Sequence, residues 1–259
     1  IFLLQGLHTT AVPTWNHPSW SVSTEFATYV VYALLWKTLK RWTWFATAFI
    51  IVAGPIAIAV LVGHMDTTFD WGILRSLLGF ALGATMFNML RSPAAQAIAA
   101  RVRRNPATAI EIAVLAVIVV FVAQPDHTKL TIAAPFVFAL GVLVFSCGYG
   151  AVSGILASRL FRHVGTVSYS VYLLHQPLQE LFMVGAAWCY VTLGWSWMLE
   201  VDPAKATIRL GASALVGDGI TAAMLIMLLA ASTLTWRFVE TPCRSWVRSH
   251  VNAARQKRR

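Results

Sequence analysis

Long apolar runs separated by short polar loops fill the chain from end to end. A helix needs about 20 apolar residues to cross a bilayer, and the runs reach that length repeatedly. The pattern predicts full spans at about 20–36, 43–63, 70–90, 109–124, 131–149, 167–190 and 216–238, seven in all. They follow an opening apolar stub, I-F-L-L-Q-G-L. The first and fourth are short for a span and borrow flanking residues. The expected fold class is therefore all-α, a polytopic transmembrane helical bundle. No internal repeat, low-complexity tract or long linker marks a second domain, so residues 1–259 read as one integral-membrane domain ending in a basic tail, 241–259.

The loops alternate in charge and so set a direction. Lys37, Lys40 and Arg41 follow the first span, Arg91, Arg101, Arg103 and Arg104 the third, and Arg159 and Arg162 the fifth. The chain then ends R-Q-K-R-R. The intervening loops carry no positive excess: H-M-D-T-T-F-D is acidic, and P-D-H-T-K and L-E-V-D-P-A-K-A-T-I-R are balanced. Positively charged loops stay on the cytoplasmic side, which places the C-terminus there and Asn16 to Trp20 outside.

Composition agrees with a membrane protein and excludes some partners. The 259 residues are 58% hydrophobic and 12% charged, where soluble domains carry about 25% charged residues. Mean hydropathy is +0.68. The net charge of +10 does not imply nucleic acid, because the basic residues lie between apolar runs rather than along one stripe. Cys147, Cys189 and Cys243 are scattered, with neither disulfide nor metal-ligand spacing. The chain opens on Ile1 without a visible signal peptide, and the expectation is that further N-terminal sequence precedes it.

Chemistry is expected where polar residues interrupt the spans. The stretch N-H-P-S-W-S-V-S-T-E-F-A-T-Y leads into the first span and puts Glu25 roughly 7 Å along the helix from Trp20. Ser21, Glu25, Thr28, Tyr29 and Tyr32 recur at three- and four-residue spacing and share a face, away from Phe26, Val30, Ala33 and Leu34. Such a stripe faces the bundle interior or a wet cavity, and an ionisable residue in it is a functional candidate by default. The competing reading is helix–helix hydrogen bonding, with both tyrosines as anchors.

The sixth span, V-S-Y-S-V-Y-L-L-H-Q-P-L-Q-E, carries a second stripe of Ser168, Tyr172, His175 and Gln179. Pro177 has no N–H for the carbonyl of Leu173, which frees an acceptor near His175. A histidine so placed serves chemistry or simply satisfies the core. In the third span Arg75 precedes Gly79 and Gly83, which suit close packing. Arg75 can snorkel, pair with Glu25 or bind substrate. In W-R-F-V-E-T-P-C-R, Arg237 and Glu240 fit an ion pair that stops the last helix before Pro242. An enzyme handling a polar acceptor and a proton-coupled transporter both suit this inventory, although the paired broken helices of many transporters are not evident.

Three stretches in this order, N-H-P-S-W-S-V-S-T-E-F, G-T-V-S-Y-S-V-Y-L-L-H-Q-P and W-R-F-V-E-T-P-C-R, resemble the bacterial membrane-bound acyltransferase-3 family. The resemblance implies transfer of an acyl group, acetyl in many members, from cytosolic acyl-CoA to a hydroxyl of an exported carbohydrate or glycolipid. It implies a multi-pass protein of the bacterial cytoplasmic membrane, with membrane lipid, acyl-CoA and sugar as partners, and no bound cofactor or metal. Asn16, Trp20, Ser21 and Glu25 match the first motif; Ser168, Tyr169, Tyr172, His175 and Pro177 match the second; Glu240 and Pro242 match the third. Arg75 before F-A-L-G is a looser match. Catalytic roles are expected for His175 and Glu25, and substrate binding for Asn16, Trp20, Ser21, Arg75, Ser168, Tyr169, Tyr172 and Glu240. Family members also carry earlier spans with a basic residue, the histidine usually called catalytic and an arginine-rich motif. None of these is present, so the chain is expected to be a C-terminal portion, and a truncated member inactive on its own is one alternative to the enzymatic reading. The structural role or transporter function remains the rival reading.

Overall fold

The computed structural model describes residues 6–7, 16–68, 70–93, 96–97, 106–124, 128–202 and 207–256. Residues 1–5 of the opening stub, Arg101, Arg103, Arg104, residues 125–127 of the P-D-H-T-K loop, the loop residues 203–206 and the last three residues lie outside them. The helices are α1 (Ser19–Leu39), α2 (Thr43–Leu61), α3 (Gly72–Leu90), α4 (Ala107–Val122), α5 (Ala134–Cys147), α6 (Ala151–Leu156) and α7 (Arg159–Leu193). A two-stranded antiparallel hairpin follows, β1 (Leu199–Asp202) with β2 (Thr207–Leu210), then α8 (Ala214–Thr235) and α9 (Thr241–Gln256). The chain divides into two compact units, residues 1–161 and 162–259.

Each predicted span coincides with a helix to within a few residues, the sixth lying inside the longer α7. Among the described residues, four stretches are long and apolar enough to cross a membrane: Ser19–Leu61, Gly72–Leu90, Lys129–Cys147 and Ala214–Asn252. The first of these holds both α1 and α2, and α4 is apolar but shorter. The chain is thus a multi-pass, all-α membrane protein. α7 is absent from the four because H-Q-P-L-Q-E dilutes its apolar character, although its 35 residues are ample in length.

In the first unit α3 packs against α1, α2 and α5. Ile58, Met65, Leu78 and Leu82 form the buried cluster, with Ile51, Leu74, Ile132 and Ala139 against it. The buried face of α1 is polar, made by Ser23, Thr24 and Thr28. Thr28 Oγ1 donates to Ser76 Oγ on α3 at 2.9 Å. Large apolar side chains point outward instead, Phe49 at 70% and Val60 at 78% exposed. That distribution suits lipid as the outer medium, where association comes from packing and hydrogen bonds rather than from hydrophobic burial. The α1–α2 break is a three-residue turn, Lys40–Trp42, with Lys40 at φ 48 and Thr43 Oγ1 donating to its carbonyl at 2.7 Å.

Two features depart from the sequence reading. L-E-V-D-P-A-K-A-T-I-R, read as a loop, contributes β1 and most of β2, with Glu200 opposite Arg209 in the register. Four-residue strands around Asp-Pro leave too short an alternation to detect. The last helix also does not stop before Pro242. Trp236–Glu240 widens into a π-helical turn, in which the Thr241 amide reaches back to the Trp236 carbonyl, and α9 continues. Pro242 stands at the second position of α9, directly after the π turn.

α4 carries a buried carboxylate that holds the end of the first unit together. Glu111, 2% exposed, accepts from the Gly150 amide at 2.9 Å, the Ser153 amide at 3.1 Å and Ser153 Oγ at 2.5 Å. Thr108 Oγ1 accepts from the Ala151 amide at 3.0 Å. The first turn of α6 has orphan N–H groups, and Gly150 at its cap has no side chain to satisfy them. Glu111 and Thr108 do so from a neighbouring helix. A Cβ at Gly150 would run into the Glu111 carboxylate.

Replacing Glu111 with Leu strands buried donors at about 1–3 kcal/mol each. Thermal unfolding of Glu111→Leu in detergent is expected to shift down by roughly 4–10 °C, with Gly150→Ala moving in the same direction. Ile112→Leu, on the exposed side of α4, serves as the control. An unshifted midpoint for both clamp variants would remove Glu111 as the fastening.

Candidate functional site

The first unit gathers most of the first motif where α1 meets α3. Asn16 is buried, and its backbone carbonyl accepts from the Ser19 amide at 3.0 Å, so N-H-P-S starts α1 with a turn. Trp20 lies on Gly72, where a Cβ would approach the indole to 2.7 Å. Glycine there is a packing requirement, and it brings α3 onto the start of α1. The Arg75 guanidinium sits over the Trp20 ring, 5.9 Å from its centroid, a cation–π arrangement. Ser21 Oγ donates to the Pro18 carbonyl at 3.1 Å, which leaves that hydroxyl only as an acceptor.

Glu25 stands at the edge of the polar face of α1, one turn before Tyr29, whose phenol donates to Glu25 Oε1. Glu25 and Tyr29 open onto a cavity of about 430 Å³, with Thr28, Ser76, Gly79 and Phe80 in its wall. Tyr29 and Tyr32 pack against Phe80, with ring centroids 5.7 and 4.3 Å apart. On the other flank of α3, Arg75 borders an apolar groove of about 290 Å³ that includes Met65, Leu82, Met86, Phe138 and Val142. Gly79 and Gly83 border both spaces. Among the described residues no ion pair joins Arg75 to Glu25; Arg75 goes to Trp20 and Glu25 to Tyr29. The stripe of Ser21, Glu25, Thr28, Tyr29 and Tyr32 is thus split. Thr28 gives its proton to Ser76 on α3, while Glu25 and Tyr29 bond each other, and all three border the cavity.

The second unit holds the second and third motifs. His175 Nδ1 lies 2.5 Å from the Tyr172 carbonyl, and the Tyr172 ring is 5.7 Å away. The bonded carbonyl belongs to Tyr172 rather than to Leu173, one residue earlier than Pro177 implies. A carbonyl only accepts, so Nδ1 carries the proton and Nε2 keeps the lone pair. Ser168 Oγ is turned to the Gly165 carbonyl at 2.9 Å, while Tyr169 and Tyr172 are exposed.

The second serine of S-Y-S makes the link that the first does not. Ser170, buried, donates to Glu240 Oε2 at 3.0 Å, and Glu240 also pairs with Arg244. This corrects the expected Arg237–Glu240 pair: Arg237 lies over the Phe238 ring at 5.7 Å. His163 Nε2 is 3.0 Å from Thr233 Oγ1, whose own proton goes to the Leu229 carbonyl at 2.8 Å. Nε2 is therefore the donor, and the ring also meets Trp236 edge-on at 6.4 Å.

Ser170, His163, Ser76, Gly72 and Glu111 were missed in the sequence. Ser170 points away from the Ser168 stripe on a helix, so periodicity argued against it. Glu111 carried a usable signal, an ionisable residue in an apolar run. Among the described residues no group of three or more His, Cys, Asp or Glu side chains could hold a metal ion.

A family model described as an acyltransferase domain, that of the acyltransferase-3 family, matches residues 2–186. The match takes in the first motif, Arg75 and the second motif, and ends before the third. None of the curated proteins and none of the solved structures compared with the chain matches it.

The carbonyl at Tyr172 predicts a definite tautomer for His175. Nitrogen-15 NMR of histidine-labelled protein, assigned with His175→Gln, is expected to show Nδ1 protonated and Nε2 bare in the neutral ring. An Nε2-protonated ring would take away the lone pair on which a base role depends.

Proposed function

The chain belongs to the membrane-bound acyltransferase-3 family, and on that premise we propose that it moves an acyl group, acetyl in the simplest case, from acyl-CoA to a carbohydrate hydroxyl. The family match over residues 2–186 carries the reading, and the placing of Glu25, Thr28 and Ser76 around one cavity in otherwise apolar helices supports it. In this reading the protein crosses the bacterial cytoplasmic membrane seven times within this sequence, with its C-terminus in the cytoplasm. The donor is cytosolic acyl-CoA, and the acceptor is an exported carbohydrate or glycolipid.

Acyl transfer needs a base to take the hydroxyl proton as that oxygen attacks the thioester carbonyl. It also needs donors to steady the oxyanion as the C–S bond breaks and the thiolate leaves. His175 acts as the base through Nε2, because Nδ1–H is committed to the Tyr172 carbonyl. Glu25 accepts acceptor hydroxyls: one phenol engages one of its oxygens, and a carboxylate has about four acceptor positions. Arg75 supplies positive charge, steadied on Trp20. Tyr169 and Tyr172 offer hydroxyls. Ser21 and Ser168, whose protons are spent on backbone carbonyls, accept only. Asn16 sets the start of α1, and Glu240 holds α7 to the π turn through Ser170.

Two variants test these roles in membranes where the protein is expressed at normal level, with O-acyl groups on the carbohydrate read by mass spectrometry. Glu25→Gln is expected to lose most of the acylation, and Tyr29→Phe much less. His175→Gln is expected to cost about 10²–10⁴-fold, the usual range for a general base. Unchanged acyl content with either Glu25→Gln or His175→Gln would strike that residue from the site. Proton-coupled uptake of the sugar without any acyl transfer would overturn the enzymatic reading itself.

A further inference from the structure

α9 differs from the spans in having two unlike faces. At 3.6 residues per turn, Cys243, Trp246, Val247 and His250 share one side, while Arg244, Arg248 and Asn252 share the other. Trp246 is 63% and Val247 52% exposed, and the His250 ring rests on Trp246 at 4.3 Å. The Arg244 side chain is 67% exposed even while paired with Glu240. No acidic residue follows Glu240 in the sequence, whereas Arg255, Lys257, Arg258 and Arg259 add to the basic end.

Its position in the chain says what meets these faces. The 22 residues of α8 cover about 33 Å at 1.5 Å per residue, close to the roughly 30 Å of a bilayer's hydrocarbon. α9 therefore begins at headgroup depth. The π turn and Pro242 stand at that junction, and π-bulges and prolines are where helices bend. An apolar face with tryptophan, backed by arginine and free of acid, is the pattern of a helix lying in the interface of a negatively charged bilayer.

We propose that α9 is an interfacial helix that docks on anionic lipid, with Trp246 and Val247 in the headgroup layer and Arg248 and its basic neighbours on lipid phosphates. The docked helix fixes the π turn at the membrane surface and with it Glu240, the residue that engages Ser170 on α7. This does not depend on the acyl-transfer reading, since it follows from the membrane fold and the charge of α9.

The test uses the full chain with Cys147, Cys189 and Cys243 replaced by Ala and a nitroxide on Val247→Cys or, on the opposite face, Asn252→Cys. Each is reconstituted in vesicles of phosphatidylcholine alone or of equimolar phosphatidylcholine and phosphatidylglycerol. Collision rates with oxygen and with a water-soluble nickel chelate are read by electron paramagnetic resonance. The position 247 label is expected to be shielded from nickel several-fold more in the anionic vesicles, and the position 252 label is not. Molar salt or Arg248→Gln should reduce the difference. Salt needs no variant that might misfold, so it tests the electrostatic term independently. Equal nickel access at 247 and 252 in anionic vesicles would overturn the docking. Shielding that is the same in both lipids and indifferent to salt would overturn the choice of anionic lipid.

Discussion

Inside a bilayer a polar side chain has no water to turn to, so its partner has to come from the protein. That constraint organises both units. In the first it turns the hydroxyls of α1 inward, where Thr28 meets Ser76, and leaves phenylalanine and valine for the lipid. In the second it ties α7 to the end of α8 and the π turn through His163–Thr233 and Ser170–Glu240. These hydrogen bonds are modest, about 0.6 kcal/mol on average between membrane helices. They set which faces meet, and close packing as at Gly72 and Trp20 supplies the rest.

The helices were legible in the sequence because hydropathy over a span-length window is a strong, local signal. What failed was everything that depends on a partner distant along the chain. Ser170 and Glu240 are 70 residues apart, and Glu111 is 39 and 42 residues from the backbone it caps. Neither pairing leaves a periodic trace. The rule that brought Ser168, Tyr172 and His175 together as a stripe excluded Ser170, the serine that makes the contact. The rule that paired Arg237 with Glu240 by proximity assumed an ordinary helix, where a π turn instead carries Arg237 to Phe238 and leaves Glu240 to Arg244.

W-R-F-V-E, the core of the third motif, is the π-helical turn itself. A wide turn costs hydrogen-bond regularity and persists where surrounding contacts hold it. Here the contacts are identifiable: Trp236 against His163, and Glu240 between Ser170 and Arg244. Together they link the start of α7, the exit of α8 and the basic helix beyond. The motif is thus a joint in the fold, and Glu240 belongs to that joint by its geometry.

Glu111 and Glu25 show how one residue type takes two roles in apolar helices. Both are carboxylates that lipid alone would not tolerate. Glu111 is enclosed and receives three donors, two of them backbone amides that have no other cap. Its acceptor capacity is used within the protein, and its work is structural. Glu25 receives one phenol from its own helix and faces a cavity. A phenol one turn away orients the carboxylate without closing it off, so the remaining oxygen positions are available to whatever enters. His175 follows the same pattern, with one ring nitrogen fixed by the carbonyl of Tyr172 on its own helix. Partial satisfaction by a near neighbour leaves Glu25 and His175 with acceptor positions that the enclosed Glu111 has already given to the protein.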